Sequence, residues 1–485
     1  MENIFAGLQP ERLWYYFAEI CKIPRPSRKE SQIAAWIMQK GRENGLEVLQ
    51  DATGNVLIRK HATRGMENRP VIILQSHLDM VCEKNSSTIH NFETDPILPR
   101  VEGEWIKATG TTLGADDGIG VAAMMAIMEY GDLVHGPLEF LFTIDEETGL
   151  SGSAGLQPGF LKGRILLNLD SEDDGELFIG CAGGKDTNIV LPYLKEELAD
   201  GFKSYRIDVN GLKGGHSGDE INKGLGNAVK ILNRLLWEAA NAFELRLCFF
   251  DGGNLRNAIA REAFAIVAIP EGMADAFEQY VVDFKSRVKY ELKATEPDLK
   301  VACTPAEPAA FCIAVSSQEK LLNGLYGCPH GVLAMSADIP GFVQTSTNLA
   351  SVKTREDHFL IGTSQRSSVN SEKIDAANMV ASVFRLAGAT VTHGEGYPGW
   401  APNPDSPILK LTRNTYSSLF GKEPKVLVVH AGLECGLIGE KFPGMDMISY
   451  GPTIRGAHSP DERLLIPTVS KFWDLTVTLL KDVKE

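Results

Sequence analysis

The run Val71-Ile72-Ile73-Leu74-Gln75-Ser76-His77-Leu78-Asp79-Met80 limits what this chain can fold into more than any other stretch. Four consecutive apolar residues suit a strand buried on both faces, the kind found in parallel sheets covered by helices. Side chains alternate along a strand, so His77 and Asp79 project to the same side just where the strand gives out. In an open α/β sheet the ligand crevice lies beyond the carboxyl ends of such strands. A lone His-x-Asp pair is more often a satisfied structural histidine than part of a reactive centre. What shifts the balance is the return of the pattern downstream.

Gly114-Ala115-Asp116-Asp117-Gly118 leads into an apolar helix expected over residues 119–128. Aspartate at a helix start commonly caps backbone N–H groups. Two adjacent acids wedged between glycines before a wholly apolar helix are nevertheless costly unless something cationic compensates them. The apolar run 138–143 ends in Asp145-Glu146-Glu147-Thr148-Gly149, and the run 165–169 ends in Asp170. The loop that follows, Ser171-Glu172-Asp173-Asp174-Gly175, reads by itself as a solvated charge run. Apolar strand followed by acid, repeated with helices between, describes an α/β fold: a mostly parallel mixed sheet flanked by helices, with acids converging on one edge.

A chain of 485 residues exceeds what one hydrophobic core usually organises, so about two domains are expected. Residues 11–44 read as two helices broken at Ile23-Pro24-Arg25-Pro26-Ser27, the second capped by Ser27 or Ser31. Strands are expected at 46–49 and 56–60, and His90 reads as an ordinary loop histidine. Near residue 194 the character changes. A strand at 204–209, the turn Gly214-Gly215-His216-Ser217-Gly218, a helix at 222–239, strands at 245–250 and 264–269 and a helix at 274–292 form an α+β pattern. It recurs loosely with strands at 349–353 and 359–365 and a helix at 372–387. The first style then returns: a helix at 407–420, a strand at 425–429, the polar corner His430-Ala431-Gly432-Leu433-Glu434-Cys435-Gly436, a strand at 445–450, and a helix at 468–480. The expected organisation is one domain in two segments, 1–198 and 391–485, around an inserted α+β domain at 199–390.

Lys and Arg number 48 against 63 Asp and Glu, a formal net charge of −15. That balance repels phosphate backbones and anionic membranes, which leaves small molecules as the expected partners. The eight cysteines are scattered with no Cys-x-x-Cys pair, as in a reduced compartment. No export signal opens the chain, and the most apolar helical stretch is far too short to cross a bilayer. A cytoplasmic location is expected.

The strand-end groups are His77, Asp79, Asp116, Glu146, Glu147 and Asp170, joined by His458 in the stretch Ala457-His458-Ser459-Pro460-Asp461-Glu462. Five carboxylates in one crevice repel one another severely unless divalent cations are present. Mixed imidazole and carboxylate ligation without thiolate suits Zn²⁺, and also Mn²⁺ or Co²⁺. So many ligands suit a two-metal site with a bridging carboxylate. Other hydrolytic arrangements fail on residues, since there is no His-Glu-x-x-His and no Gly-x-Ser-x-Gly elbow at a strand end. Thiol catalysis by Cys435 near His430 would leave the acid cluster unexplained.

Taken in order, Ser76-His77-Leu78-Asp79-Met80, Gly114-Ala115-Asp116-Asp117-Gly118, Asp145-Glu146-Glu147-Thr148-Gly149, Gly214-Gly215-His216-Ser217-Gly218, Gly253-Asn254-Leu255-Arg256-Asn257-Ala258-Ile259, the corner at 430–436 and His458-Ser459-Pro460-Asp461-Glu462 resemble the two-metal exopeptidase family that includes carnosinases, aminoacylases and glutamate carboxypeptidases. Within that family they are most similar to the bacterial aminoacyl-histidine dipeptidases, over nearly the whole chain. The resemblance implies hydrolysis of unblocked dipeptides, Xaa-His among them. It implies that His77, Asp116 and Asp170 hold one metal and Asp116, Glu147 and His458 the other, with Asp116 as bridge and zinc as the first expectation. Asp79 would orient His77, and Glu146 would be the general base.

By the same resemblance the peptide bond after the bridging aspartate is cis, and the inserted domain acts as a lid. His216 on it would stabilise the oxyanion. Asn254, Asn257 and Arg366 would grip the substrate, Arg366 through its free carboxylate, and His430 and Glu434 would meet its amino end. A homodimer through the lid is the expected assembly. Two positions depart from the family pattern: Asp117 stands where Asn is common, and Ala260 where Pro is common. The alternatives are an N-acyl amino acid deacylase on the same scaffold and a metal-binding relative without catalysis.

Overall fold

The computed structural model describes residues 4–484; residues 1–3 and 485, the outer ends of the two expected segments, lie outside the described residues. The chain divides into two compact units. One comprises the chain up to Gly180, Trp400–Val428 and the chain from Leu433 onward, the other Cys181–Gly399 with Val429–Gly432.

The first unit is built on an eight-stranded sheet ordered Glu47–Gln50, Val56–Lys60, Leu138–Thr143, Ile72–His77, Ile165–Asn168, Asp446–Ser449, Glu176–Cys181, Lys425–Val429. The four strands from Leu138–Thr143 to Asp446–Ser449 are mutually parallel, so their carboxyl ends share one edge. Every residue of Ile72–His77 and of Leu138–Thr143 is buried, as strands covered on both faces must be. The hairpin Glu47–Gln50/Val56–Lys60 extends the sheet antiparallel. Helix Ala115–Glu129 is buried almost throughout and packs against strand Ile72–His77 and helix Glu11–Ile20. Its Ala, Met, Gly and Ile residues leave no polar stripe, so only an enclosed position suits it. A second sheet of four short strands, Ile454–Arg455, Arg463–Leu465, Trp105–Ala108 and Pro99–Glu102, carries the turn 456–462 between its first two strands.

In the second unit a nine-stranded sheet takes in Lys300–Pro305, Phe202–Asn210, Ala263–Pro270, Arg246–Gly252, Val343–Thr354, His358–Ser367, Gly183–Pro192 and Thr390–His393, with Gly331–Met335 pairing to Val343–Thr354. Helices Ala228–Ala242, Ala274–Glu291, Val315–Gly327 and Asn370–Leu386 pack against its strands or one another, over a core that includes Leu232, Phe250, Phe277, Phe359 and Phe384. Gly183–Pro192, for which the sequence raised no expectation, pairs with His358–Ser367 and Thr390–His393.

Three local expectations need correction. The second helix, Ser31–Glu43, has Glu30 at its N-cap and no side-chain cap, so neither Ser27 nor Ser31 serves; the Ser27 hydroxyl donates to Asp79 instead. The helix expected from 222 starts after Asn227, whose side chain accepts the N–H groups of Val229 and Lys230. The polar corner at 430–436 leads into helix Glu434–Lys441. No disulfide joins the cysteines, and no helix among the described residues is long and apolar enough to cross a membrane.

Candidate metal centre

The parallel strands deliver their polar ends to one edge of the first unit. His77 closes its strand at 1% exposure, with Nε2 3.0 Å from Asp116 Oδ1 and 3.4 Å from Asp170 Oδ1. Asp116 enters the following helix with a non-helical backbone, after Gly114 at φ +69°, and the Asp116–Asp117 peptide is cis. The second oxygen of Asp116 lies 3.2 Å from Nε2 of His458, which is also 3.0 Å from Glu147 Oε2. His458 sits on the hairpin turn of the small sheet at φ +62°. Three sets of side chains bring potential ligand atoms within 4.8 Å of one another: His77, Asp116 and Asp170; His77, Glu146 and Glu147; Asp116, Glu147 and His458.

The electrostatics of this edge are out of balance. Asp116, Asp170, Glu146 and Glu147 meet two imidazoles, and among the described residues no Lys or Arg pairs with any of the four. Burial, reinforced by Asp116, pushes Asp170 well above the usual carboxylate range; burial and the charges of Asp170, Glu147 and Glu434 do the same to Glu146. Hydrogen bonds to Asp116 and Glu147 push His458 up to about 11. Burial opposes ionisation of Asp116, but the two imidazoles outweigh it and hold its carboxyl far down. Carboxylates crowded in this way are compensated by bound cations. Glu147 Oε1, buried without a hydrogen-bond partner, is a further vacant donor atom, and the set of nitrogen and oxygen donors without sulfur fits Zn²⁺, Mn²⁺ or Co²⁺.

Around these groups the chain makes contacts that residue type alone did not reveal. Asp79, with no exposure, accepts the Ser27 hydroxyl at 2.7 Å and the N–H groups of Glu146 at 3.0 Å and Glu147 at 3.2 Å. His77 Nδ1 lies 3.4 Å from Asp79 Oδ1 and makes no proper hydrogen bond. Asp79 therefore grips the turn that carries both glutamates more firmly than it grips the imidazole ring. Burial would raise its carboxyl, but His77, Ser27 and the Glu146 N–H hold it at about 2.

Burial, with the charges of Asp170 and Asp116, pushes Asp117 well above the carboxylate range, and its Oδ1 accepts the Gly120 N–H. The loop 171–175 is not the solvated charge run its composition suggested. Burial and Asp116 raise Glu172 to about 7, Asp173 pairs with Arg455, and Asp174 accepts from Tyr416 and Lys471. Only main-chain geometry could have pointed to Arg25 and Glu462, which bind the backbone beside the metal-site candidates.

Glu434 belongs to this unit too. It is fully buried and accepts from Gln75 Nε2 and Thr143 Oγ1, both at 2.6 Å, while its Oε1 has no partner.

The remaining expected residues lie in the second unit. His216 Nδ1 is 3.0 Å from Asp219 Oδ2 and accepts the Asp219 N–H at 3.2 Å. Arg366 is 8% exposed, donates to the Tyr397 hydroxyl at 3.1 Å and has an unpartnered Nε. His430 shares a 2.7 Å hydrogen bond with Ser346 through Nε2 and leaves Nδ1 unpartnered. Burial, with Arg366, depresses its ring to about 4. Asn254 and Asn257 are exposed; the Asn254 side chain accepts from Lys353 at 2.9 Å, and the Asn257 carbonyl accepts the Ser217 N–H at 2.8 Å.

The chain is similar end to end to two characterised relatives. It is 44% identical over 476 residues to the cytosol non-specific dipeptidase of Escherichia coli K12, covering 98% of both chains. The crystal structure of aminoacylhistidine dipeptidase from Vibrio alginolyticus matches at a TM-score of 0.94 and 44% identity, covering 99% of this chain and 98% of that one. Aminopeptidase PepT from Bacillus cereus, at 17% identity and a TM-score of 0.58 over 98% of this chain and 99% of its own, shares the fold. The profile of Peptidase family M20/M25/M40 matches residues 73–482, a span that holds every strand-end group described above, and the chain belongs to that family.

Proposed function

We propose that this protein is a cytosolic, metal-dependent dipeptidase that hydrolyses unblocked dipeptides, Xaa-His among them. The observation that carries the reading is the 44% identity across 98% of both chains to a cytosol non-specific dipeptidase. The edge of the first unit supplies a centre suited to that chemistry.

His77, Asp116 and Asp170 would hold one ion, and Asp116, Glu147 and His458 a second, with Asp116 shared and Zn²⁺ the ion that best suits the donors. When bound, such ions acidify water and polarise a carbonyl oxygen. Glu146 receives a proton on its carboxylate from the attacking water and returns it to the departing amine nitrogen. Asp79 keeps Glu146 and Glu147 in place through their N–H groups.

The second unit is read as a lid and as the contact between two copies of the chain. His216, whose Nδ1 lies 3.0 Å from Asp219 Oδ2, is the proposed donor to the oxyanion through Nε2. Arg366, with an unpartnered Nε, is the proposed anchor for the substrate carboxylate, with Asn254 and Asn257 assisting. His430 Nδ1 and Glu434 Oε1 are the acceptor atoms proposed for the amino end.

The test sets unblocked Xaa-His dipeptides against N-acetyl amino acids, with and without chelator. Chelator-sensitive cleavage of the dipeptides is expected. Cleavage of the N-acetyl compounds alone would establish the deacylase alternative, and no hydrolysis of either would leave a metal-binding relative.

A further inference from the structure

Glu462 and Arg25 have no part in the reaction as proposed, yet both are buried charges beside it, at 2% and 3% exposure. Among the described residues neither pairs with an opposite charge; main chain compensates each. Glu462 Oε2 accepts the N–H groups of Leu113 at 2.7 Å and Gly114 at 2.9 Å, and Oε1 those of Ala115 at 2.7 Å and Asp116 at 3.4 Å. Arg25 holds the same turn by its carbonyl side: Nη2 donates to Gly114 O, while Nη1 donates to Leu78 O at 3.0 Å and Asp79 O at 2.6 Å. A Cβ at Gly114 or Gly118 would stand 2.6 Å from the guanidinium, so these glycines make the room Arg25 needs.

The connectivity closes two rings. Glu462 lies on the same hairpin turn as His458, so one short segment holds Asp116 twice, by its N–H through Glu462 and by its Oδ2 through His458. Arg25 ties the two residues that follow His77 to the residue two before Asp116. We infer that Glu462 and Arg25 are positioning residues, Glu462 fixing His458 and Arg25 fixing His77 against Asp116, so that three ligand-bearing segments distant in sequence keep one spacing. The role needs the charge as well as the reach. A glutamine at 462 would turn an NH₂ group toward at least one pair of backbone N–H donors, and a lysine at 25 lacks the planar fork that spans three carbonyls.

This inference rests on the reading of His77, Asp116 and His458 as metal ligands. The experiment is titration of metal-free protein with Mn²⁺ alone, comparing wild type with E462Q, E462D and R25K, together with hydrogen exchange of the 113–116 amides in metal-free wild type. E462Q and R25K should each weaken Mn²⁺ binding by about tenfold or more, the scale set by losing a group that orients a ligand. E462D, which keeps the charge, should recover part of the loss, and the 113–116 amides should be protected before any metal is added. A folded E462Q with wild-type affinity for every ion overturns the inference. So does exchange of the 113–116 amides at the rate of an open loop, which decides the matter if E462Q fails to fold. Wild type that takes up no Mn²⁺ while those amides stay protected would instead defeat the reading of the ligands.

Discussion

Asp79→Asn is the substitution whose cost the geometry specifies best. The carboxylate presents one oxygen to the Glu146 N–H and the other to the Glu147 N–H and the Ser27 hydroxyl. Asparagine is nearly the same size but has a single oxygen. Whichever way it turns, its NH₂ group replaces an oxygen that now accepts a backbone N–H, and one of the two amides is left facing another donor. A donor stranded in this way costs about 1–3 kcal/mol. The same turn carries Glu146 and Glu147, so the loss should also reach the metal: weakening by roughly 10–100-fold is the usual effect of removing a group that orients a ligand. Denaturant unfolding of the metal-free protein reads the first effect and direct metal titration the second. Ser27→Ala is the control, because it removes one hydroxyl donor and leaves both amides satisfied, for a loss of about 1 kcal/mol. An Asp79→Asn protein with unchanged unfolding free energy and unchanged metal affinity would refute the reasoning.

Glu146→Gln should keep its metal content and lose about 10²–10⁴-fold in kcat on a dipeptide, the usual worth of a general base, as read by metal analysis and initial rates on one preparation. Asp117→Asn keeps the acceptor for the Gly120 N–H and removes a buried acid, so its unfolding free energy should equal or exceed that of wild type. Burial, with the charge of Lys230, depresses His330 to about 4. Between its unfolded value near 6.5 and about 4, the unfolded chain takes up a proton that the folded one refuses, so stability falls as the solution is acidified, by about 3 kcal/mol in full from this side chain. His330→Asn retains an acceptor for the Leu349 N–H and should lose less stability than wild type between pH 7 and pH 4.5 in urea unfolding.

The parts of the fold that were legible in advance are those whose neighbours lie close in the sequence or whose burial is complete. Ile72–His77 and Leu138–Thr143 could be read because two-sided burial demands unbroken apolar runs, and Val56–Lys60 because a turn signal precedes it. Helix Ala115–Glu129 announced itself by having no polar face. The four strands of the small sheet left no such trace. Pro99-Arg100-Val101-Glu102 is mostly exposed, and the two short hairpins of this sheet are joined by pairing across more than three hundred residues, Leu464 opposite Ile106. Gly183–Pro192 does alternate, burying Thr187, Ile189 and Leu191, but its opening glycines read as loop.

The candidate centre follows the same division. His77, Asp116, Glu146, Glu147 and Asp170 stand at ends of recognisable elements, and the structure brings them together with His458. Arg25, Ser27 and Glu462 act on backbone groups or on a buried acid far away in the chain, and residue type alone carries no sign of that. The proline-rich break at 23–27 reads only as punctuation, although it holds two of the three.

The proposed centre requires Asp116 to be shared by two ions, and diffraction from metal-loaded crystals at the absorption edge of the bound metal tests that sharing directly. Two anomalous peaks are expected, one among His77, Asp116 and Asp170 and one among Asp116, Glu147 and His458. A single peak that leaves His458 without a ligand role, or peaks away from Asp116 altogether, would contradict it.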